Sequence, residues 1–168
     1  MLHLCAPSMN TPDPKLYRPC AGLMIVNNQG LVFVGKRIDS RESGWWQMPQ
    51  GGIDKGEDVR LAALRELEEE TGLTPDKVTI LAQTPHELFY DLPDDLKGKL
   101  WKGRYVGQRQ IWFLLRFDGQ DADIRLDAHD PAEFCAWQWV APARLPDMII
   151  PFKADIYRAV LDAFRDYL

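Results

Sequence analysis

Four glutamates crowd the segment Arg65-Glu66-Leu67-Glu68-Glu69-Glu70. In a helix of 3.6 residues per turn, Glu66, Glu69 and Glu70 lie at positions i, i+3 and i+4 and share one face. Like charges at this spacing cost an isolated helix about 0.2–0.5 kcal/mol per pair. Hard carboxylate oxygens in such a group select Mg²⁺, Mn²⁺ or Ca²⁺, whose charge would offset the repulsion. Taken alone, the glutamates are more typical of a solvated acidic helix face than of a metal site.

The flanking residues predict a helix over residues 58–71, with Asp58 as its N-terminal cap and Gly72 as its left-handed stop. The remaining side chains are expected to divide by size. Leu61 and Leu64 would face the core. The small side chains of Ala62 and Ala63 would let a phosphate and its metal come close to the helix.

The spacing around this run is more specific than the glutamates themselves. Gly51 is followed after five residues by Glu57, and after seven more by Arg65-Glu66-Leu67-Glu68-Glu69-Glu70-Thr71-Gly72-Leu73. This arrangement resembles the Nudix signature: Gly, five residues, Glu, seven residues, then Arg-Glu-apolar-any-Glu-Glu-any-Gly-apolar. Every required position is met, so the resemblance is strong.

The resemblance implies an α/β fold, an α/β/α sandwich with a mixed sheet, in which a loop–helix–loop binds divalent ions. It also implies hydrolysis of a phosphoanhydride bond in a nucleoside diphosphate linked to another group, with Mg²⁺ as cofactor and Mn²⁺ able to replace it. By position, Glu66, Glu69 and Glu70 would be metal ligands, and Glu69 or Glu70 would also orient or deprotonate water. Glu57 would be a supporting acid, and Arg65 would form an ion pair with a catalytic glutamate. Gly51 or Gly52 would offer its backbone carbonyl as a further metal ligand.

Segments outside the signature resemble the branch that contains bacterial RNA pyrophosphohydrolases and plant-type diadenosine tetraphosphate hydrolases. Gln50 stands between Pro49 and Gly51, where many Nudix branches lack a residue. Tyr90 follows Leu73 by seventeen positions, as is typical of dinucleoside polyphosphate hydrolases. The other similar segments are Tyr17-Arg18-Pro19, Gly107-Gln108-Arg109-Gln110, Trp112-Phe113-Leu114-Leu115, Pro131-Ala132-Glu133-Phe134 and Phe152-Lys153.

The same resemblance implies substrate contacts outside the helix. Glu133 would supply a further metal ligand or a base. Phe152 would either stack on a nucleotide base, worth about 1–3 kcal/mol, or simply pack at the start of the last helix. The expected phosphate ligands are Arg18, Arg37 and Lys153, and the further substrate contacts are Gln50, Tyr90 and Gln108.

A basic stretch gives physical support that does not depend on the resemblance. Residues 97–109 contain five cations and no acid, with Trp101 and Tyr105 between them: Lys97, Lys99, Lys102, Arg104 and Arg109. In an acidic chain, such a loop suits a string of phosphates plus a base, and Lys102 and Arg104 are the expected contacts. A solvated lysine-rich loop is the alternative.

Three functions are compatible with these residues. RNA 5′-pyrophosphohydrolase, acting on 5′-triphosphorylated ends, is favoured because the chain is compact and without extra domains. A dinucleoside polyphosphate hydrolase is the alternative, since both substrates offer a base, a ribose and linked phosphates. A non-catalytic Nudix module that binds nucleotides or RNA is third, because such modules usually lose a glutamate of the signature and none is missing here.

The elements that must position these residues are a mixture of strands and helices without regular alternation, which favours a sandwich over a doubly wound sheet. A hairpin is expected at Asn27-Asn28-Gln29-Gly30, and a loop with unusual backbone angles at Gly51-Gly52. Pro151 is expected to open a last helix whose buried side chains are Ile156, Val160, Phe164 and Tyr167. The expected strands are 21–26, 31–34, 78–89, 110–117 and 136–140, with 45–49 extended.

Length and composition restrict the class of protein. The 168 residues suit one domain, expected over 16–168, with residues 1–15 loosely held and Met9 as an alternative start. A net charge of −5 argues against a general DNA- or RNA-coating protein. No apolar run approaches membrane-spanning length. The cysteines (Cys5, Cys20 and Cys135) are expected to be reduced in a cytoplasmic protein, and the histidines (His3, His86 and His129) form no metal-ligand spacing.

Overall fold

Seven strands of the described chain form one sheet in the computed structural model, which describes residues 12–40 and 43–168. The strands are β1 (Tyr17–Val26), β2 (Val32–Arg37), β3 (Gln50–Gly52), β4 (Val78–Gln83), β5 (Leu88–Asp91), β6 (Gly107–Phe117) and β7 (Phe134–Val140). The α-helices are α1 (Val59–Thr71), α2 (Leu145–Met148) and α3 (Ala154–Ala163).

The sheet is built on the parallel pair β1 and β6, which stay in register from Tyr17 opposite Gly107 to Val26 opposite Arg116. The main strand order is β4-β6-β1-β2-β7, while β3 pairs with β1 and β5 pairs with β6. All pairs other than β1 with β6 are antiparallel. The expected mixed sheet is confirmed.

Both faces of the central strands are covered. Because side chains alternate along a strand, Phe113 and Leu115 of β6 lie in one apolar cluster with Leu67 of α1, whereas Trp112 and Leu114 lie in another. The second cluster also contains side chains of both other helices: Leu145, Ile156, Tyr157 and Val160. The result is an α/β/α sandwich, as expected.

Helix α1 begins and ends where its sequence predicts. The Asp58 carboxylate accepts a hydrogen bond from the Leu61 amide at 3.1 Å, and Gly72 closes the helix at φ 75°. The buried face agrees with the expectation for Leu64, which is partly buried against the cluster that contains Leu67, and differs for Leu61. Leu61 is 62% exposed, whereas Ala62, Ala63 and Leu67 are buried. The alanines therefore bring the helix close to the sheet and are not available to a phosphate.

Four further expectations need correction or refinement. The strand expected over 78–89 is two strands, because the chain turns at Thr84-Pro85-His86-Glu87. Gly51 and Gly52 lie in strand β3 without positive φ, so their role is not an unusual backbone angle. The last helix is preceded by a 3-10 turn over Pro151–Lys153. Tyr167 follows α3 in another such turn and is exposed.

Some expectations concern residues outside the described chain. The N-terminal residues up to 11, with His3, Cys5 and Met9, lie outside it; Pro14–Leu16 form a short 3-10 turn capped by Asp13. In the described ranges, Cys20 and Cys135 are free thiols, His86 and His129 are exposed, and no helix is long and apolar enough to cross a membrane.

Candidate active site

Arg65 organises the acidic side chains of the signature. Its guanidinium donates two hydrogen bonds to Glu57, at 2.8 and 2.9 Å, and one to the Gly52 carbonyl at 2.9 Å. It also reaches Glu66 at 2.8 Å and Glu69 at 3.3 Å. The hydrogen bonds from Arg65 lower the pKa of Glu57 to about 2. One cation therefore ties the loop after β3 to the glutamate face of α1.

Glu70 has no such partner. The residue is 1% exposed, and neither carboxylate oxygen pairs with a cation or accepts a hydrogen bond of ordinary geometry, although the Gln50 backbone and the Glu66 carboxyl lie beside it. Burial, followed by the negative charges of Glu133 and Glu66, raises the pKa of Glu70 well above its usual range. Burial likewise raises the pKa of Glu66. Uncompensated buried carboxylates demand a proton or a cation, because desolvating a charge costs several kcal/mol.

A divalent ion fits these donors. Glu66, Glu70, Glu133 and the Gly51 carbonyl offer hard oxygens, the ligands that Mg²⁺ and Mn²⁺ prefer. Within the residues that the structure describes, no three acidic, histidine or cysteine side chains already form a cage. Such a cage is not formed because Glu66 and Glu69 make ion pairs with Arg65 instead. Glu70 is the signature carboxylate left unpaired.

The glycines of β3 are required by close approach. A Cβ on Gly51 would lie 2.1 Å from the Glu66 side chain, and one on Gly52 would lie 2.4 Å from the Arg18 guanidinium. Without side chains at these positions, the strand lets Glu66, an expected metal ligand, and Arg18, an expected phosphate ligand, lie against its backbone. Gly51 and Gly52 are therefore required for steric reasons and not for the unusual backbone angles that their sequence predicts.

The predicted residues converge on a cavity of about 340 Å³, the central pocket. Acidic and basic groups face it together. From the predicted set it is lined by Arg18, Arg37, Gln50, Gly51, Glu66, Tyr90, Gln108, Glu133, Phe152 and Lys153. Residues far apart in the sequence are therefore brought together, and cations stand beside the carboxylates as a bound polyphosphate would need.

The cations of the central pocket are held in distinct ways. Arg37 is oriented by two hydrogen bonds to Asp39, at 2.8 and 2.6 Å, which raise its pKa. Burial, and secondly the charge of Arg37, lower the pKa of Lys153 to about 8. The Lys153 amine lies 5.7 Å from the centre of the Tyr90 ring and 5.8 Å from that of Phe152. Arg37 is thus already ion-paired, whereas Lys153 forms no ion pair with any residue that the structure describes and is a cation left for an entering anion.

Phe152 is partly buried against the core and also lines the central pocket, so packing and stacking are both compatible with its position. Its ring lies 6.0 Å from that of Tyr90. The two rings form an aromatic wall beside the Lys153 amine. A nucleotide base is one group that such a wall accommodates.

Six predicted residues lie outside the lining of the central pocket. Glu69 turns towards Arg65, and both line a separate depression beside His129. Glu57, Lys102 and Arg104 line a neighbouring cavity, the outer groove, whose lining is residues 14–15, 17–19, 52–57, 59, 101–102, 104–105 and 109. Glu70 is buried and lines none of these three cavities. The basic stretch is also less cationic than its sequence indicates, because Lys97 pairs with Asp94 and Arg109 with Glu87.

One positioning feature went unrecognised in the sequence. The Trp112 indole, which can only donate, gives its hydrogen bond to the Gln110 oxygen at 2.8 Å. The Gln110 amide nitrogen therefore donates to the Gln108 oxygen, also at 2.8 Å. This leaves the Gln108 amide nitrogen as the donor available to a ligand. The Gly107-Gln108-Arg109-Gln110 segment was the available signal, but only the fold reveals the hydrogen-bond direction.

The two glycines of β3 allow a matched test. Gly51→Ala should displace the buried Glu66 carboxylate and reduce the rise in Tm on adding Mg²⁺, while Gly52→Ala should displace the flexible end of Arg18 and keep that rise. Thermal melting with and without Mg²⁺ measures both, and circular dichroism checks the fold. An undiminished metal response in Gly51→Ala would show that Glu66 is not needed at the metal.

The chain is similar to known proteins. The NUDIX domain family matches residues 16–160. RNA pyrophosphohydrolases of Novosphingobium aromaticivorans and Erythrobacter litoralis are 63% and 57% identical over 152 residues, covering 90% of this chain and 94% and 93% of theirs. A C. elegans Ap4A hydrolase structure has a TM-score of 0.63 at 24% identity, over 90% of this chain and 99% of that one, a likeness of fold alone. With every signature position filled and the family matched over 16–160, the chain belongs to the NUDIX domain family and is a Nudix hydrolase.

Proposed function

We propose that this Nudix hydrolase is an RNA pyrophosphohydrolase that removes pyrophosphate from 5′-triphosphorylated RNA, using Mg²⁺. The central pocket is the main support for this proposal, because carboxylates and the expected phosphate-binding cations face one cavity of about 340 Å³. The curated relatives with that name, at 63% and 57% identity, support the choice of substrate. The cysteine content supports a cytoplasmic location as part of the same proposal.

In this proposal, Glu66, Glu70, Glu133 and the Gly51 carbonyl hold the metal. When bound, divalent ions lower the pKa of a bound water and neutralise charge on the phosphate oxygens. Arg65 acts by position, because its contacts to Glu57 and Gly52 hold the loop against α1. Glu69, Glu70 and Glu133 are the candidates for orienting or deprotonating the attacking water.

The opposite wall binds the substrate. Arg18, Arg37 and Lys153 would take the phosphates, since anionic ligands favour the charged form of an amine whose pKa burial has lowered. The Tyr90 and Phe152 rings would hold the base. Gln108 would donate its free amide hydrogens to the nucleotide, and Gln50 lines the same side.

A dinucleoside polyphosphate hydrolase is the second candidate. Tyr90, the residue expected of that class, lies at the central pocket. Such a substrate presents the same base, ribose and phosphates to the pocket. The two candidates differ at both ends: a dinucleoside polyphosphate carries a second nucleoside beyond its phosphates, whereas RNA carries the rest of its chain on the 3′ oxygen of the first nucleoside.

Replacing the glutamates tests the catalytic proposal. Glu70→Gln and Glu69→Gln should each lower kcat by two or more orders of magnitude, because one removes a proposed metal ligand and the other a candidate for activating water. Glu68→Gln is the matched control, since Glu68 is exposed on the same helix and occupies the free position of the signature. Steady-state hydrolysis with Mg²⁺, alongside circular dichroism, provides the measurement. Near-normal kcat in both variants would refute the assignment.

Direct competition between substrates tests the choice of RNA. On one preparation, kcat/KM should be higher for triphosphorylated RNA than for diadenosine tetraphosphate, with pyrophosphate among the products. Product analysis in ¹⁸O-labelled water identifies the phosphorus that is attacked. A higher kcat/KM for diadenosine tetraphosphate would favour the second candidate, and the absence of hydrolysis of either would favour a binding module.

A further inference from the structure

The outer groove adjoins the central pocket. Its volume of about 990 Å³ lies at the upper end of the range that drug-sized ligands fill, about 300–1,000 Å³, and far exceeds the 340 Å³ of the central pocket. Arg18, Gly52 and Trp101 line both cavities. The two cavities are therefore adjacent, and at their junction the Arg18 guanidinium lies against both the Gly52 backbone and the Trp101 ring.

The charge of the outer groove opposes that of the chain. Six cations line it, namely Lys15, Arg18, Lys55, Lys102, Arg104 and Arg109, in a protein of net charge −5. Its two acids are already engaged, because Asp54 and Glu57 both pair with Arg65. Lys15, Lys55 and Lys102 form no ion pair with any residue of the described ranges. The groove thus offers several uncommitted cations along one path.

Aromatic rings stand beside these cations. The rings of Trp101 and Tyr105 are 6.2 Å apart and nearly perpendicular. The Arg18 guanidinium lies 5.6 Å from the centre of the Trp101 ring, and that of Arg104 lies 5.5 Å from the Tyr105 ring. Sites that bind single-stranded nucleic acid combine such rings, which stack on bases, with a basic groove that follows the backbone.

The backbone at the junction of the two cavities is unusual. Trp101, Lys102 and Gly103 have consecutive φ values of 50°, 59° and 71°. Bulky residues rarely adopt this left-handed region, and residues held there cluster at functional sites. The turn places the Trp101 ring on the boundary between pocket and groove.

We propose that the outer groove binds the RNA chain downstream of the 5′-terminal nucleotides, with its lysines on phosphates and Trp101 and Tyr105 against bases. The inference rests on the proposed RNA pyrophosphohydrolase function and adds a site that distinguishes a polynucleotide from a small dinucleoside. A substrate long enough to reach the groove gains affinity there, whereas a triphosphorylated dinucleotide fills only the central pocket.

The test compares triphosphorylated RNAs of two, four and eight nucleotides. The native protein should show kcat/KM that rises at least tenfold from two to eight nucleotides. Lys55→Ala/Tyr105→Ala should abolish that rise and leave dinucleotide hydrolysis unchanged. The matched control is Lys77→Ala/Tyr167→Ala, which removes the same residue types elsewhere and should keep the rise. For single strands, each lost phosphate contact should lower the slope of log affinity against log salt by about 0.7.

The possible outcomes distinguish a failure of the proposed function from a failure of the groove proposal. If the native protein hydrolyses none of the RNAs, the proposed function fails. If it hydrolyses all lengths with equal kcat/KM, only the groove proposal fails. An equal loss for the dinucleotide and the octanucleotide in Lys55→Ala/Tyr105→Ala would assign the groove to the first nucleotides or a dinucleoside instead, which overturns the downstream site.

Discussion

The burial of Glu70 between helix α1 and the sheet is the constraint on which the rest of the site depends. The helix packs closely because Ala62 and Ala63 present almost no side chain. This brings a carboxylate, with both oxygens unpaired, into the protein interior. Several kcal/mol of desolvation is a large part of a total stability of about 5–15 kcal/mol. A fold that retains such a group needs a compensating cation or a proton on the carboxyl.

Arg65 shows how the remaining charge is distributed. It satisfies Glu57 fully, and contacts Glu66 and Glu69 from one side. Had it reached Glu70, the helix would hold a closed ion-pair network with no need of a metal. Because it does not, negative charge remains beside Glu133 and opposite the cations of the central pocket. On one helix, Glu66 and Glu69 are thus paired with Arg65, whereas the neighbouring Glu70 is left to bind a metal.

The sequence predicted the local features well. The Asp58 cap, the Gly72 stop, the signature spacing and the covered strand β6 all depend on neighbouring residues and periodicity. It could not predict which side of α1 is buried, because the helix carries too little apolar contrast for Leu61 to be separated from Leu67. The steric role of Gly51 also required the register of β3 with β1, a long-range feature. The assignment of Lys102 and Arg104 to the outer groove depends on how the chain passes from β5 to β6.

The position of the bound metal tests the central claim most directly. A crystal soaked in Mn²⁺ should show an anomalous peak about 2.0–2.6 Å from a Glu70 oxygen, the range of oxygen ligands to such cations, with Glu66 turned from Arg65 towards the same ion. An ion bound only by the half-buried Glu69 and the exposed Glu133, with neither Glu70 oxygen coordinated to it, would contradict the account.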